Sequence, residues 1–496
     1  MRLGSWRSGG LLLAALLLPA AGDAPTAAEQ DHQGMMRQLG IVQLRPGPSG
    51  DPEAANAANY DPLKANPYPV WPDLMTMADG RPVTSAAMWK RERRPELVEL
   101  FEREVYGRVP AAAPTVTWRV DSTDREFIGG RPALAQQLVG HLDNRGAPQI
   151  AVNLRVTLVL PANAKGRVPL LIMFAPARYP APSQPDARDA ARLDGAMKAL
   201  LLQRDPSLGA IFAAHPGLAF VEPGNFPPMP PRDDRVAKLI ADGWSVALLD
   251  TASIQADDGA GLREGVIGLA NQGRARTPEQ WGALRAWGWG ASRLLDYLTI
   301  RPEIDAAHVG VEGVSRWGKA ALVAAAFDER FEMVLIGSSG EGGVKPHRRN
   351  LGEQVENLTG AGSYHWMAGN FLKYGTEQGQ LGRKTAADIP VDAHELLALV
   401  APRLAFVSYG IPAQGDAEWL DQQGSYMATI AAGRAWTLLG KRDLGRGNDY
   451  RAAVIPPPTT ELIDGELAWR QHEGGHTDAP NMESFLRWAD RKIGRR

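Results

Sequence analysis

The residue of this sequence best suited to chemistry is a serine that stands between an apolar run and an alanine-rich run. Ser315 lies in the string GVSRWGK, after the apolar residues 308–311 and before the apolar residues 320–326. A strand, a sharp turn that carries a serine, and a helix in this order are typical of a nucleophile elbow. Gly313 and Gly318 leave room where the strand and the helix crowd together, although the second glycine comes one residue later than usual. Free N–H groups at the helix start can stabilise an oxyanion, so this segment predicts a nucleophile for acyl transfer.

A serine nucleophile needs a histidine that takes its proton, and five histidines follow Ser315 in the chain. His476 lies in the glycine-rich loop EGGHTD, directly after the predicted last strand at 467–471. In hydrolases with such an elbow, the order along the chain is serine, acid, histidine. We therefore predict that His476 is the general base and that His472 is a structural neighbour.

The histidine in turn needs a carboxylate that orients it, and the sequence leaves more than one candidate. Asp416 follows the predicted strand 404–409 closely, which is where many hydrolases place this acid. Glu341, in the string SSGEGG, is the competing candidate. We predict Asp416.

Positive charge is concentrated around the serine. Arg316 is the next residue and Lys319 lies four residues after the serine, whereas Arg348 and Arg349 come later in the chain. Cationic groups beside a nucleophile suit a polar or anionic substrate and a developing oxyanion. The alternative is that these side chains pair with carboxylates such as those of Glu353 and Glu356.

The bulk composition excludes several classes of protein. The chain has 496 residues, 44% of them hydrophobic, which suffices for a sizeable core. The net charge of −2 gives no broad attraction to nucleic acid or to an anionic membrane. Because the chain has no cysteine, disulfides, thiolate metal sites and a cysteine nucleophile are all excluded.

The N-terminal residues are typical of an export signal. Arg2 and Arg7 precede an apolar run at 11–18, and small residues at 20–22 offer a cleavage site. We therefore expect a signal peptide at 1–22, an extended or poorly ordered lead-in at 23–80, and a catalytic domain at 81–496. The mature protein is expected to be exported, either periplasmic or secreted.

Alternating patterns along the chain predict an α/β fold that can position these residues. Helical spacing at 85–106 precedes alternating, strand-like segments at 115–120, 134–142 and 149–160. Beyond them, apolar strands at 168–174, 244–250, 309–313, 331–337 and 404–409 are interspersed with helices at 236–241, 278–298 and 394–400. Such alternation predicts a mostly parallel sheet with helices on both faces, a three-layer sandwich.

Seven strings in the chain form a specific set: VSRWGKAA, SSGEGG (338–343), HRRNLGEQVENL (347–358), YHWMAGNFLKY (364–374), PVDAHELLALVAPR (390–403), LLGKRDLG (438–445) and HEGGHTDAPN (472–481). Together they resemble the glucuronoyl esterases, a family of carbohydrate esterases, and are most similar to its bacterial branch. The resemblance covers roughly residues 85–490 and implies an α/β-hydrolase fold. It implies that Ser315 is the nucleophile, that His476 is the base and that Arg316 assists the oxyanion. It also implies that Lys319, Glu353 and Trp419 hold and stack on the sugar.

One departure from the family pattern concerns the acid. Ser338 stands where many relatives have a glutamate that serves as the triad acid. The resemblance then leaves the role to the later carboxylate site, Asp416, and Glu418 in the same loop stays open as an alternative.

These observations predict an exported serine esterase that hydrolyses esters of (methyl-)glucuronic acid by double displacement. The expected substrate is a glucuronoxylan or lignin–carbohydrate ester. We expect no metal, no cofactor, no nucleic-acid or membrane partner, and a monomer. The alternatives are another carbohydrate esterase, such as an acetyl esterase, and a catalytically silent glycan-binding relative.

Overall fold

A large mixed sheet carries the residues singled out above. The structure is a computed structural model that describes residues 25–177, 187–220 and 235–495. Within these ranges, nine strands form the main sheet, and a separate pair is formed by the first and ninth strands. The strands are β1 Ile41–Leu44, β2 Val116–Ile128, β3 Arg131–Leu142, β4 Asn153–Pro161, β5 Val168–Phe174, β6 Ser245–Leu249, β7 Ile304–Val314, β8 Met333–Gly337, β9 Thr376–Gly379, β10 Leu404–Gly410 and β11 Leu467–His472.

Helices connect these strands. They are α1 Ala27–Gln38, α2 Ala86–Met88, α3 Arg94–Phe101, α4 Ala187–Arg204, α5 Leu208–Ala214, α6 Arg235–Ala241, α7 Gly265–Ala270, α8 Ala283–Leu298, α9 Arg316–Phe327, α10 Val355–Thr359, α11 Ala393–Ala398, α12 Gln422–Leu438 and α13 Met482–Lys492. The helical pattern predicted at 85–106 is confirmed, as α2, α3 and two π-helical segments, Trp89–Arg93 and Glu102–Tyr106.

The strand order of the main sheet is β11-β10-β8-β7-β5-β6-β4-β3-β2. The first six strands of this order are parallel to one another, whereas β4, β3 and β2 pair antiparallel. The prediction of a mostly parallel sheet is confirmed. Since the carboxyl ends of parallel neighbours lie at one edge, loops after β7, β8, β10 and β11 meet there.

Helices cover both faces of the sheet. Along β5, Leu170 and Ile172 belong to one hydrophobic core, and Leu171 and Met173 belong to the other. The first core contains buried side chains of α8, α9, α11 and α12, and the second contains side chains of α6 and α13. A strand that is apolar on both sides needs cover on both sides. The apolar strand predicted at 168–174 is confirmed as β5 and is buried along almost all of its length.

The N-terminal segment differs from its prediction. An extended or poorly ordered lead-in is wrong for residues 27–44, because α1 forms there and β1 pairs antiparallel with β9. The Thr26 hydroxyl accepts from the Glu29 N–H, and the Glu29 carboxylate accepts from the Thr26 N–H, so a capping box begins the helix. Met35 and Ile41 are buried, so apolar contacts also hold this segment in place.

The predicted signal peptide at 1–22 lies outside the described residues. Within the described ranges, no helix is both long enough and apolar enough to span a bilayer.

Candidate active site

The serine elbow has the geometry that its sequence predicts. Ser315 follows β7 directly, precedes α9, and has a φ of 62° with a ψ of −129°. A non-glycine residue in this region is strained, which is typical of a nucleophile held by its surroundings. A Cβ on Gly313 would lie 2.3 Å from the Trp317 carbonyl oxygen, and one on Gly318 would lie 2.5 Å from the Gly337 carbonyl oxygen. Only glycine fits at both positions, so the late second glycine serves the same packing as the usual one.

His476 and Asp416 are in direct contact. The Nδ1–H of His476 donates to Oδ1 of Asp416 at 2.7 Å. The Asp416 side chain is fully buried, whereas the imidazole is 39% exposed. The Nε2 atom is therefore the ring nitrogen that is left for chemistry on the open side.

The Asp416 carboxylate has further donors that fix its orientation. Its Oδ2 accepts from the Ser338 hydroxyl at 2.7 Å and from the Gly410 N–H at 2.8 Å, and Oδ1 accepts from the Ala417 N–H at 3.0 Å. With His476, four donors meet two oxygens, so the group acts as an acceptor throughout. Ser338 thus supports the carboxylate that contacts the histidine.

Neither competing carboxylate contacts His476. Glu341 is fully buried and pairs with Lys345 at 2.8 Å and with His347. Burial alone would raise the pKa of Glu341, but its interactions with Lys345 and His347 lower it. Glu418 is exposed at the start of a short 3₁₀ segment.

His472 supports the loop that carries His476. Its Nε2–H donates to the Thr477 carbonyl at 2.7 Å, and its Nδ1 accepts from the Gly474 N–H at 3.0 Å. Burial lowers the pKa of His472, which favours the neutral ring that both contacts require.

Ser315 and His476 line one cavity of about 460 Å³. The wall also contains aromatic and charged side chains; the full lining is Phe174, Arg235, Glu312, Val314, Ser315, Arg316, Trp317, His476 and Thr477. Arg235 donates to Glu312 at 2.7 Å and to Asp478 at 2.6 Å. This bridge ties β7, which carries the serine, to the loop that carries the histidine.

Arg316 lies at the mouth of this cavity, with its side chain 48% exposed. Its Nη1 donates to Asp257 Oδ2 at 2.6 Å, and its guanidinium carbon lies 5.2 Å from the centroid of the Trp366 ring. No sequence pattern pointed to Asp257, which follows a short 3₁₀ turn after β6.

The three predicted sugar-binding residues form one cluster. Lys319 Nζ donates to Glu353 Oε2 at 3.1 Å and to the Ser339 carbonyl at 2.6 Å, and the Glu353 N–H donates to the Trp419 carbonyl at 2.8 Å. Pairing of Lys319 with Glu353 is the alternative that the sequence left open, and Lys319 is only 2% exposed. None of the three lines the cavity above, so their binding role stays a prediction.

The later arginines are structural. Arg348 pairs with Asp392 at 3.1 Å, and Arg349 pairs with Asp421 at 2.6 Å. Both are almost fully buried, as the alternative of carboxylate pairing requires, although the partners are not the predicted ones. Among the described residues, no group of three or more His, Asp and Glu side chains is arranged to hold a metal ion.

The chain is similar to known esterases. A family model described as "Glucuronyl esterase, fungi" matches residues 276–440. A solved CE15 glucuronoyl esterase from Teredinibacter turnerae is 38% identical with a TM-score of 0.77, and the match covers 94% of this chain and all of that one.

Two curated proteins are similar to the chain at lower identity. A carbohydrate esterase of an unknown prokaryotic organism is 27% identical over 440 residues, covering 87% of this chain and 91% of its own length. A 4-O-methyl-glucuronoyl methylesterase of Hypocrea jecorina is 25% identical over 379 residues, covering 75% of this chain and 62% of its own length.

The resemblance seen in the seven strings is thus confirmed over almost the whole chain. The match to the Teredinibacter enzyme covers all of that enzyme and 94% of this chain. The chain belongs to the glucuronoyl esterases, carbohydrate esterase family 15, and shares their α/β-hydrolase fold.

Proposed function

We propose that this protein is a serine esterase that hydrolyses esters of glucuronic acid or 4-O-methyl-glucuronic acid. The observation that carries the proposal is the 2.7 Å bond from His476 to the buried Asp416, beside a cavity that Ser315 also lines. The names of the relatives supply the substrate class, since they include glucuronoyl esterases and a 4-O-methyl-glucuronoyl methylesterase.

Acylation follows from these three side chains. His476 Nε2 takes the hydroxyl proton of Ser315 while Oγ attacks the uronate carbonyl carbon, whose π electrons move to the oxygen. Asp416 holds the imidazole in the tautomer with Nδ1 protonated and stabilises the imidazolium that forms. The tetrahedral intermediate collapses, the ester C–O bond breaks, and the leaving alcohol takes the proton from Nε2.

Deacylation repeats the same steps with water. His476 Nε2 takes a proton from a water molecule, which attacks the carbonyl carbon of the acyl-serine. The second intermediate expels Ser315 Oγ, which recovers its proton from the imidazolium. Free glucuronic acid leaves, and the enzyme is regenerated.

The oxyanion is stabilised at the start of α9. The first N–H groups of this helix have no partner within it, and the Arg316 guanidinium lies on the same wall of the cavity. Preorganised donors of this kind lower the barrier because they interact more strongly with the oxyanion than with the neutral carbonyl.

The sugar is assigned to the cluster of Lys319, Glu353 and Trp419, as the family resemblance implies. The aromatic ring of Phe174 lines the Ser315 cavity and suits an apolar alcohol. We therefore propose an ester between glucuronoxylan and a lignin alcohol as the natural substrate.

One experiment tests the proposal against both alternatives. The purified chain and Ser315→Ala are incubated with benzyl glucuronate and with 4-nitrophenyl acetate, and release of each acid is measured. We expect glucuronate release that falls by several orders of magnitude in Ser315→Ala. Turnover of the acetyl ester alone would favour an acetyl esterase, and binding of a glucuronate-bearing xylan fragment without turnover would favour a silent glycan-binding protein.

Export and a monomeric state are further parts of the proposal. Export is supported by the pattern of Arg2, Arg7, the apolar run at 11–18 and the small residues at 20–22. Fractionation of expressing cells, with a variant that lacks residues 2–22 as the control, tests export, and size-exclusion chromatography with light scattering tests the monomer.

A further inference from the structure

A carboxylate outside the proposed triad holds the arginine that follows the nucleophile. Asp257 Oδ2 accepts from Arg316 Nη1 at 2.6 Å. Asp257 lies 59 positions before Arg316 in the sequence, in the loop after β6, so two separate elements meet at this contact. The other N–H groups of the Arg316 guanidinium have no hydrogen-bond partner among the described residues.

Two buried side chains in turn hold Asp257. His365 Nε2 lies 2.9 Å from Asp257 Oδ1, and Trp366 Nε1 donates to the same oxygen at 2.5 Å. The His365 side chain is only 3% exposed, and Trp366 is 7% exposed. The carboxylate is thus fixed by rigid, buried rings at one oxygen and presents the other oxygen to the arginine.

The Trp366 ring also limits where the guanidinium can lie. The guanidinium carbon is 5.2 Å from the ring centroid, within the range of a cation–π contact. A free arginine side chain samples many rotamers, whereas this one is held at Nη1 and over one ring face. The contacts with Asp257 and with the Trp366 ring therefore together define its position.

The electrostatics of the cluster agree with this arrangement. Burial would raise the pKa of Asp257, but hydrogen bonds from His365, Trp366 and Arg316 hold it well below its usual range. Asp257 is therefore ionised at every pH at which an esterase is assayed, and its contact with Arg316 persists.

We propose that Asp257 is a positioning residue for catalysis, which aims Arg316 at the carbonyl oxygen of the ester and acts together with Trp366. The inference rests on the proposed function, in which Arg316 stabilises the oxyanion. Asp257 itself touches neither the ester nor the triad; it acts through Arg316. The N–H groups of the guanidinium that have no partner in the described part of the chain are the donors that this contact leaves for the oxyanion.

The test compares Asp257→Asn with Asp258→Asn, a matched control. Asp258 is the next residue, but it caps a 3₁₀ segment by accepting from the Ala260 N–H and does not contact Arg316. We expect Asp257→Asn to lower kcat about tenfold to a hundredfold with little change in KM. That loss is part of the roughly hundredfold to thousandfold cost of removing one oxyanion donor. Asp258→Asn should remain close to wild type.

Two readouts separate positioning from a general structural effect. The first is a double-mutant cycle: once Arg316→Ala has removed the guanidinium, Asp257→Asn should cause no further loss in kcat. The second uses two substrates: because the oxyanion forms on any ester, the fold-loss in Asp257→Asn should be the same for benzyl glucuronate and 4-nitrophenyl acetate. Losses that multiply in the double variant, a loss confined to the glucuronate ester, or a gain in kcat would each overturn the proposal.

A second variant covers the case in which Asp257→Asn does not fold, as judged by circular dichroism. Trp366→Phe keeps an aromatic ring beside the guanidinium but removes the Nε1 donor to Asp257. We expect a smaller kcat loss in this variant, again absent in the Arg316→Ala background, and unchanged kcat would overturn the proposal. If the wild type hydrolyses only the acetyl ester, the proposed substrate is wrong, yet the same cycle on that ester still decides the role of Asp257.

Discussion

At the scale of single residues, the choice of acid in the proposed triad depends on which carboxylate contacts His476. Asp416 receives donors from His476, Ser338 and two backbone N–H groups, so its two oxygens are constrained in both position and charge. The carboxylate oxygens of Glu341 contact Lys345 and His347 instead. A glutamate at 338 would reach the same place from the end of the neighbouring strand, because the Ser338 hydroxyl already contacts Asp416.

Asp416→Asn should remove most of the esterase activity. An amide in place of the carboxylate cannot stabilise an imidazolium, and a loss of up to about ten-thousandfold in kcat is typical of such a change. Glu418→Gln is the matched control, because Glu418 lies two residues away and is exposed. Measurement of kcat on benzyl glucuronate checks this prediction. An inactive Glu418→Gln variant together with an active Asp416→Asn variant would show that another carboxylate is the acid.

Adding Ser338→Glu to Asp416→Asn should recover part of the lost rate. The Ser338 hydroxyl already lies 2.7 Å from Asp416 Oδ2, so a carboxylate built from position 338 points at the same place. Full stability with no recovery of kcat would mean that the neighbouring strand end cannot supply the acid in this chain.

Lys319→Met should lower both stability and the use of sugar esters. The change leaves Glu353 buried without its cation, and breaking a buried ion pair costs about 3–5 kcal/mol of unfolding free energy. Denaturant unfolding measures this cost. The double variant Lys319→Met/Glu353→Gln should regain part of the lost unfolding free energy, because it no longer buries an unpaired carboxylate.

The same variant tests the role of the cluster in binding. A lysine that holds sugar hydroxyls has nothing to hold in a small acetyl ester, so kcat/KM should fall more for benzyl glucuronate than for 4-nitrophenyl acetate. Equal losses on both esters would assign Lys319 a structural role only.

At the scale of elements, the ends of β10 and β11 approach so closely that a side chain cannot fit between them. A Cβ on Gly410 would lie 2.6 Å from the carbonyl oxygens of both Gly474 and Gly475, and 2.8 Å from Asp416 Cβ. Gly410→Ala must therefore displace the histidine loop, the acid or both. We expect a large loss of kcat with the fold retained, whereas Gly166→Ala, where a Cβ meets nothing within 4 Å, should be silent. Wild-type kinetics in Gly410→Ala would contradict this prediction.

The loop that carries His476 should become less stable as the pH falls. Burial holds the pKa of His472 below its unfolded value of about 6.5, so the unfolded chain binds the proton first. The stability that the neutral ring contributes is present above that value and is lost as the pH falls through it. The thermal unfolding midpoint of the wild type should therefore be lower at about pH 5 than at about pH 7.5.

Substitution of the ring isolates this contribution. His32 and His394 are also buried with lowered pKa values, and they add to the same drop in the wild type. The variant His472→Gln should therefore be less stable than the wild type at neutral pH but should lose less on acidification. An identical pH dependence in both proteins would exclude His472 as a contributor.

At the scale of the whole molecule, the sequence predicts the parts whose signals are local. The elbow was predictable because strand, serine and helix are contiguous, and the central strands because they are apolar on both faces. Asp416 and His476 were candidates because each follows a strand end. Their contact was not predictable from spacing, since 60 positions separate them and the strand order decides which ends meet.

Other parts carry weak or misleading signals. No pattern above predicts α12, since it is buried on most sides and so lacks the polar face that makes helical spacing visible. The capping box of Thr26 and Glu29 was a usable signal for α1, but the surrounding polar composition outweighed it. Asp257 has no local signal, because its significance comes from Arg316 and Trp366, which lie on other elements.

Removal of the N-terminal segment should destabilise the molecule around the site. Arg45 donates to Glu356 and to the carbonyls of Tyr374 and Thr376, all within 2.9 Å. A chain that starts at residue 46 should unfold at a lower temperature than one that starts at residue 24. The truncation should affect kcat less than it affects thermal stability. Arg45→Met serves as the point-variant control, and equal thermal midpoints in all three proteins would contradict the prediction.

The docking of this segment also has a consequence for the order of events during synthesis. His32 contacts Thr359 and Arg45 contacts Glu356, across 327 and 311 positions of chain. At roughly 5–20 residues per second, a ribosome takes on the order of 15–60 s to make the intervening stretch. The segment made early must therefore wait undocked, with the apolar side chains of Met35 and Ile41 uncovered, until its acceptor surface has emerged. The nascent chain thus passes through a long window in which those side chains are available to a chaperone.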